Sequence, residues 1–251
     1  HPSYFGNIDP LDTPEGPMIG ISQQLAINSS ITSARGLFSK KPFVDSEKSG
    51  LLSTSASMIP FVENNDGARI IMATQQAKQM LPLKNPEPPV IRSGFESLLP
   101  NNLSNNFIKR SPTNGKISKI TSDYITIVDK NNKSNNISLI PVHLKSGSGK
   151  NTLSIFKPIV NVNQIVHENQ IIAEGSCIKD GAISLGRTLC VAVMPYKGYN
   201  FEDGIVINEK LTQSDKLTSL HGIIEEVMIS ENDRVLEIGK IGEYVEKGTP
   251  I

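Results

Sequence analysis

Two adjacent carboxylates, Glu202 and Asp203, follow a glycine-containing turn, Lys197-Gly198-Tyr199-Asn200, and precede an apolar run, Gly204-Ile205-Val206-Ile207. Neighbouring side chains on an extended strand face opposite sides, so one carboxylate is expected at a cleft while the other braces the loop. A hard ion such as Mg²⁺ uses few protein carboxylates together with substrate phosphates, and a strand mouth of this kind suits it. For a bare Glu-Asp pair a solvated acidic turn is the commoner account, since acidic turns are common. A second candidate, Arg69, stands one turn into an expected helix, where unpaired amides and the helix dipole favour anions. Its guanidinium fork grips two phosphate oxygens together; the ordinary alternative is a surface ion pair with Glu63 or Asp66.

Two helices are expected to position these groups. Thr13 as N-cap, Pro14 at the first position and the apolar series Met18, Ile19, Ile21, Leu25, Ile27 predict one near 14 to 28. Asn65-Asp66 and the apolar spacing that follows predict another near 66 to 80, stopped by Pro82, with Arg69, Met72, Gln76 and Gln79 along one side. From 88 onward, short runs at 116 to 120, 124 to 128 and 137 to 142 predict an antiparallel β region. The tract from Asn131 to Asn136 and the Gly-Ser run at 146 to 149 read as polar turns or mobile loops. A weak echo between 165 to 171 and 244 to 251 suggests related hairpins.

Composition supplies exclusions. With 25 Lys plus Arg against 25 Asp plus Glu, formal net charge is zero, so any polyanion site must be local. Cys177 and Cys190 form no Cys-x-x-Cys, which argues against zinc or a disulfide framework and reads as two buried thiols in a reducing compartment. No apolar run approaches the ~20 residues needed to span a bilayer. A soluble intracellular protein is expected, with no membrane partner. His1 at the start and the strand-like end at Ile251 both read as cuts through a longer protein.

Three blocks decide the functional reading: Asp12-Thr13-Pro14-Glu15-Gly16-Pro17-Met18-Ile19-Gly20, Ser57 through Arg69, and Met194-Pro195-Tyr196-Lys197-Gly198-Tyr199-Asn200-Phe201-Glu202-Asp203. In this order they resemble the β subunit of bacterial-type multisubunit DNA-dependent RNA polymerases. Ile108-Lys109-Arg110 and Ser184-Leu185-Gly186-Arg187 extend the likeness across nearly the whole chain. The resemblance implies an α+β, β-rich fold: a double-psi β-barrel type core with short helices and an inserted antiparallel, barrel-sandwich-like hairpin region. It implies three units, 1–87 lining the active centre and hybrid channel, 88–218 carrying the Glu-Asp motif, and 219–251 beginning a further β-rich domain.

Residue by residue, the resemblance implies that Arg69 contacts the triphosphate of the incoming nucleotide and that Glu202 and Asp203 stand beside the second, substrate-borne Mg²⁺. Pro14, Glu15 and Ile21 match the segment near the family's rifamycin pocket, Gln75 and Gln79 match helix side chains close to the RNA–DNA hybrid, and Lys109 and Arg110 are candidate nucleic-acid backbone contacts. The implied partners are a β′-type subunit, other β fragments, alpha-type or assembly subunits, a promoter-specificity factor, template DNA and the RNA transcript. No Asp-Phe-Asp-Gly-Asp cluster occurs here. In the family that motif, and with it the catalytic Mg²⁺, belongs to β′.

The chain also departs from the family. The join between Phe43 and Leu51 replaces a longer insertion, Ala68 and Lys78 stand where Asn and Arg are usual, and Gln75 replaces another Asn. Such trimming resembles a divergent, phage-type β-like subunit, and a reduced organelle or plasmid enzyme is similar in appearance. Two other readings compete: a carrier module, which needs an attachment lysine at a hairpin tip that Glu168-Asn169 does not supply, and a scaffold-only β remnant.

Overall fold

The computed structural model describes residues 1–27, 29, 31–37, 50–145, 151–223, 228–230, 234, 239, 242 and 244–249. Its amino-terminal part is loop pinned by short elements: β1 (Ile8–Asp9) pairs antiparallel with β2 (Gln24–Leu25), and α1 (Thr54–Ser57) packs on α2 (Gly67–Gln79). The second helix forms where the apolar spacing predicts it. Asp66 caps it, accepting the Arg69 amide at 2.9 Å. Ile70 and Thr74, one turn apart, are its buried residues.

The helix expected over 14 to 28 does not form. A single 3₁₀ turn, Gly16–Met18, is followed by a further turn, in which the Ile21 and Ser22 amides donate to the Met18 carbonyl, and then by β2. Gly16 and Gly20 adopt φ +75° and +73°, left-handed values that a right-handed helix cannot incorporate, and Pro17 contributes no amide donor. Thr13 therefore braces a loop instead of capping a helix. Its hydroxyl accepts the Gly20 amide at 2.8 Å and donates to the Ser22 carbonyl at 2.9 Å. The supposed apolar stripe stays outside, with Met18, Ile19, Ile21 and Leu25 all exposed.

Beyond residue 88 the chain is β-rich and wholly antiparallel in its pairings. β3 (Ile108–Arg110), β4 (Gly115–Ile120), β5 (Tyr124–Asp129), β6 (Ser134–Ser138), β7 (Val142–Lys145), β8 (Asn151–Ser154), β9 (Lys157–Pro158), β10 (Ile165–Val166), β11 (Ile171–Glu174), β12 (Ile178–Lys179) and β13 (Ala182–Ile183) precede one short helix, α3 (Lys210–Gln213). They form sheets β10-β4-β5-β6, β3-β11-β9, β7-β8 and β12-β13. An α+β, β-rich fold with short helices is observed, and no closed barrel is present among the described residues.

The core gathers Ile117, Ile125, Ile127, Leu139, Phe156, Val160, Val166, Ile172 and Ala173. Ile125 and Ile127 both point inward because alternate positions of β5 share a face. Gly115 lets β4 close onto β5, since a Cβ there would lie 2.5 Å from the Val128 carbonyl oxygen. Ile127→Ala is expected to lower unfolding free energy by about 2–5 kcal/mol, read from the denaturant midpoint of the purified chain. A change below about 0.5 kcal/mol would show that this cluster is not the core.

Three sequence expectations need correction here. The run 137 to 142 is not one strand: β6 ends at Ser138, Leu139 turns inward, and β7 begins at Val142 after Pro141. Half of the polar 131 to 136 tract is strand. Asp129 tightens the turn by accepting the Asn131 and Lys133 amides, and Ser134 to Asn136 then pair with β5 as an edge strand, where polar side chains remain solvated. The 165 to 171 pair is no hairpin either, because β10 joins β4 while β11 joins β3 and β9. The 146 to 149 run and the end of the 244 to 251 echo lie outside the described residues. No described helix is long and apolar enough to cross a membrane.

Candidate functional site

The acidic pair sits in a loop built from consecutive tight turns. Lys197 (φ +49°) and Gly198 (φ +77°) form the first, closed by the Tyr199 amide on the Tyr196 carbonyl at 3.0 Å. Glu202 (φ +48°) and Asp203 (φ +64°) form the second, closed by the Gly204 amide on the Phe201 carbonyl at 3.2 Å. Positive φ at both central residues is the type I′ pattern. Asn200 staples the loop: its amide nitrogen donates to the Met194 carbonyl at 2.7 Å, and its side-chain oxygen accepts the Tyr196 amide at 3.0 Å.

This geometry replaces the expected strand alternation. Both carboxylates occupy left-handed backbone, which costs a non-glycine residue roughly 1–3 kcal/mol, and Gly204 is required beside them because a Cβ would meet the Tyr199 carbonyl oxygen at 2.8 Å. The apolar run after Gly204 forms no strand: it finds no pairing partner among the described residues, and Ile205 is 86% exposed. Glu202 and Asp203 are exposed, and no described ion pair neutralises either. Two adjacent anions without a cation partner fit contact with a divalent ion that arrives already bound to phosphates. They are not a complete ligand set, since no group of three or more His, Cys, Asp or Glu among the described residues is placed to hold a metal.

Arg69 is exposed near the start of α2, with one guanidinium nitrogen 3.4 Å from the Met72 sulfur. Asp66 serves its backbone amide, not its charge, and neither Asp66 nor Glu63 forms a described ion pair with it. No described hydrogen bond or ion pair joins Arg69 to Glu202 or Asp203 directly.

The other candidates fall into two groups. Asp9, Asp12 and Ser53 draw the first block against the two helices: Asp9 accepts the Leu11 and Ser53 amides at 2.7 and 2.6 Å, and Asp12 accepts the Ser53 hydroxyl at 2.6 Å and pairs with Lys78 near the end of α2. Half-buried Pro14 and exposed Glu15 and Ile21 are thereby held on the segment tied to the helix of half-buried Gln75 and exposed Gln79. A cavity of about 260 Å³ lined by Asp12, Gln24, Ser53 and Lys78 lies at this junction. Lys109 and Arg110 are engaged internally. The Lys109 ammonium lies 4.1 Å from the Phe156 ring centroid and burial holds its pKa below the ordinary lysine value, while Arg110 donates to the carbonyls of Leu103, Pro100 and Asn101.

Sequence reasoning missed Asn200, the Asp12–Lys78 pair and the segment 83–87, which carries Lys84 and Glu87 in ion pairs with Asp215 and Arg187. An Asn between two positive-φ turns is the local signal for the first. The pairs span 66 to 131 residues of sequence, a separation no local pattern reveals. The cysteines also differ from expectation. Both are free, and burial pushes the Cys177 thiol up to about 11, but Cys190 is exposed at the start of the uncovered apolar segment.

The profile of RNA polymerase Rpb2, domain 6, matches residues 110–247, and that of Rpb2, domain 3, matches residues 1–31. The chain belongs to the Rpb2 family. Among curated relatives, the DNA-directed RNA polymerase subunit beta of Karelsulcia muelleri (strain GWSS) is 29% identical over 206 residues, covering 79% of this chain. The chain spans about 15% of that relative's length. The domain 6 match includes the 194–204 loop, and the domain 3 match includes the Asp9–Asp12–Thr13 segment.

Proposed function

We propose that this chain forms part of the β-type subunit of a DNA-dependent RNA polymerase, with the catalytic Mg²⁺-binding aspartates on a β′-type partner. The carrying observation is the 194–204 loop: in a chain of the Rpb2 family, two unneutralised carboxylates are held in left-handed backbone by Asn200 and Gly204. A turn of that cost is maintained where its side chains are used. Arg69 is the proposed triphosphate contact, and Glu202 and Asp203 the groups facing the second Mg²⁺, directly or through water. Pro14, Glu15, Ile21, Gln75 and Gln79 line the hybrid channel. Lys109 contributes any backbone contact from β3 more readily than Arg110, three of whose donors are engaged.

When bound, the divalent ions supply charge neutralisation at the attacking oxygen and at the departing pyrophosphate. This chain's own share is orientation and charge: Arg69 holds phosphate oxygens in line, and the two carboxylates favour the cation-loaded triphosphate over a bare one. On this reading the separate sheets belong to a double-psi β-barrel type core. The units are 1–87, 88–218 and 219–251, and the uncovered apolar run from Val191 to Ile207 is closed by other parts of the assembled enzyme in the cell interior. The shortened join after Phe43 and the Gln75 and Lys78 replacements favour a phage-type, divergent β-like subunit.

Reconstitution tests the proposal. The chain alone is expected not to extend an RNA primer on a DNA template. Pull-down from its source, followed by mass spectrometry, is expected to recover a chain bearing the missing aspartate cluster, together with template-directed extension. Recovery of the chain in a stable complex devoid of such a partner and of extension activity would favour the scaffold-only reading.

A further inference from the structure

The loop carrying Glu202 and Asp203 is an excursion whose hydrogen bonds close on themselves. From 188 to 214, every described hydrogen bond has its partner between Met194 and Lys216. Orientation relative to the rest of the fold must therefore enter through the two ends of the excursion. Both ends meet the same short segment, residues 83–87, which follows α2 after Pro82. At the upstream end Glu87 forms an antiparallel bridge with Gly186, its amide donating to the Gly186 carbonyl at 2.8 Å. The Arg187 guanidinium pairs with the Glu87 carboxylate and donates to the Asn85 carbonyl at 3.1 Å. At the downstream end Leu83 bridges to Ser219, the Lys84 amide donates to the Thr218 carbonyl at 2.8 Å, and the Lys84 ammonium lies 2.7 Å from Asp215. Lys157 adds a longer donation, 3.5 Å, to the Lys84 carbonyl.

We infer that residues 83–87 are a strap that sets the position of the acidic turn relative to the Arg69 helix, with Arg187 and Glu87 as positioning residues for nucleotide addition. The inference rests on the proposed roles of Arg69, Glu202 and Asp203. One segment leaves the helix bearing the first and clamps both roots of the loop bearing the other two, so spacing between groups that make no direct contact is transmitted through backbone bridges and two ion pairs. The upstream clamp is the stronger. Arg187 has 20% of its side chain exposed, against 41% for its partner Glu87 and nearly half for both Lys84 and Asp215, so the upstream pair is the less screened on its cationic side. The Lys84 hydrogen bond, followed by one from Thr218, holds the Asp215 carboxyl below its ordinary range. A depressed acid contributes above its unfolded pKa and loses the contribution as pH falls through the folded one, so the Asp215 carboxylate is ionised at neutral pH.

The test uses the assembled enzyme carrying Arg187→Ala, Arg187→Lys, or Arg187→Ala combined with Glu202→Ala and Asp203→Ala. In Arg187→Ala, amide exchange at Tyr199 and Gly204 is expected to accelerate, kcat to fall by roughly 3- to 10-fold, and half-saturating Mg²⁺ to rise. The KM for nucleotide at saturating Mg²⁺ should change little. Arg187→Lys, which keeps the charge, should recover part of the loss. On the background lacking both carboxylates, Arg187→Ala should add almost nothing, because its effect passes through them. Unchanged amide exchange in the loop, or a kcat loss that simply adds to the carboxylate loss, overturns the strap. Unchanged Mg²⁺ response in the enzyme lacking both carboxylates instead overturns the reading of those residues. Amide exchange then still decides whether the strap holds the loop.

Discussion

Arg69→Ala in the assembled polymerase is expected to raise the apparent KM for all four nucleoside triphosphates together, by roughly 10- to 150-fold, the loss of one charge-assisted contact to phosphate. On the proposed role the four move in parallel, because a guanidinium placed on phosphates meets a group that every nucleotide shares. Two structural facts favour a large effect. Arg69 is not consumed by Glu63 or Asp66 in a described ion pair, and its amide is bonded by the Asp66 cap, so the side chain projects from a fixed point on α2. Arg69→Lys should recover only part of the loss, since an ammonium lacks the planar fork. Steady-state incorporation of each nucleotide checks the expectation, with promoter binding measured alongside and expected unchanged. A defect confined to one base would remove Arg69 from the triphosphate.

The second large effect is expected from Glu202→Ala with Asp203→Ala. Nucleotide addition and its reverse, pyrophosphorolysis, should both slow by on the order of 10- to 150-fold, the range for one charge-assisted contact, since the adjacent carboxylates address a single ion. Both directions should suffer because they cross one transition state. The complex should still assemble: the two side chains are exposed, and the loop is held by backbone turns and by Asn200 rather than by the carboxylates. Alanine is no better suited to left-handed backbone than Glu or Asp, so local strain is not relieved by the change. If the pair only braces the turn, the double variant should instead lose thermal stability or subunit association while the surviving complex works normally.

How much of this was legible in the sequence varies with the range of the interaction. The helix Gly67–Gln79 was readable because cap, spacing and stop are all local: Asp66, the Ile70–Thr74 step and Pro82 lie within one segment. Strands β4 and β5 were readable from their alternation, which a buried face enforces. The 14 to 28 helix was misread because periodicity outweighed Gly16 and Gly20, whose positive φ decides the loop. In the candidate site, residue identities were visible as motifs, but their setting was not. The left-handed turn at Glu202-Asp203 reverses an expectation of simple strand alternation, and the Asp12–Lys78 and Glu87–Arg187 pairs join residues too distant for any pattern to connect.

The central claim is that Glu202 and Asp203 face a substrate-borne Mg²⁺, and a single-nucleotide extension rate measured against Mg²⁺ concentration addresses it most directly. Elongation complexes are purified after assembly, so that folding and association do not enter the rate. For the enzyme lacking both carboxylates, the account predicts a curve displaced to higher Mg²⁺, with part of the lost rate recovered as the ion is raised, since mass action refills a weakened site. A near-normal rate with an unchanged Mg²⁺ response would contradict it and leave the two carboxylates as parts of a turn.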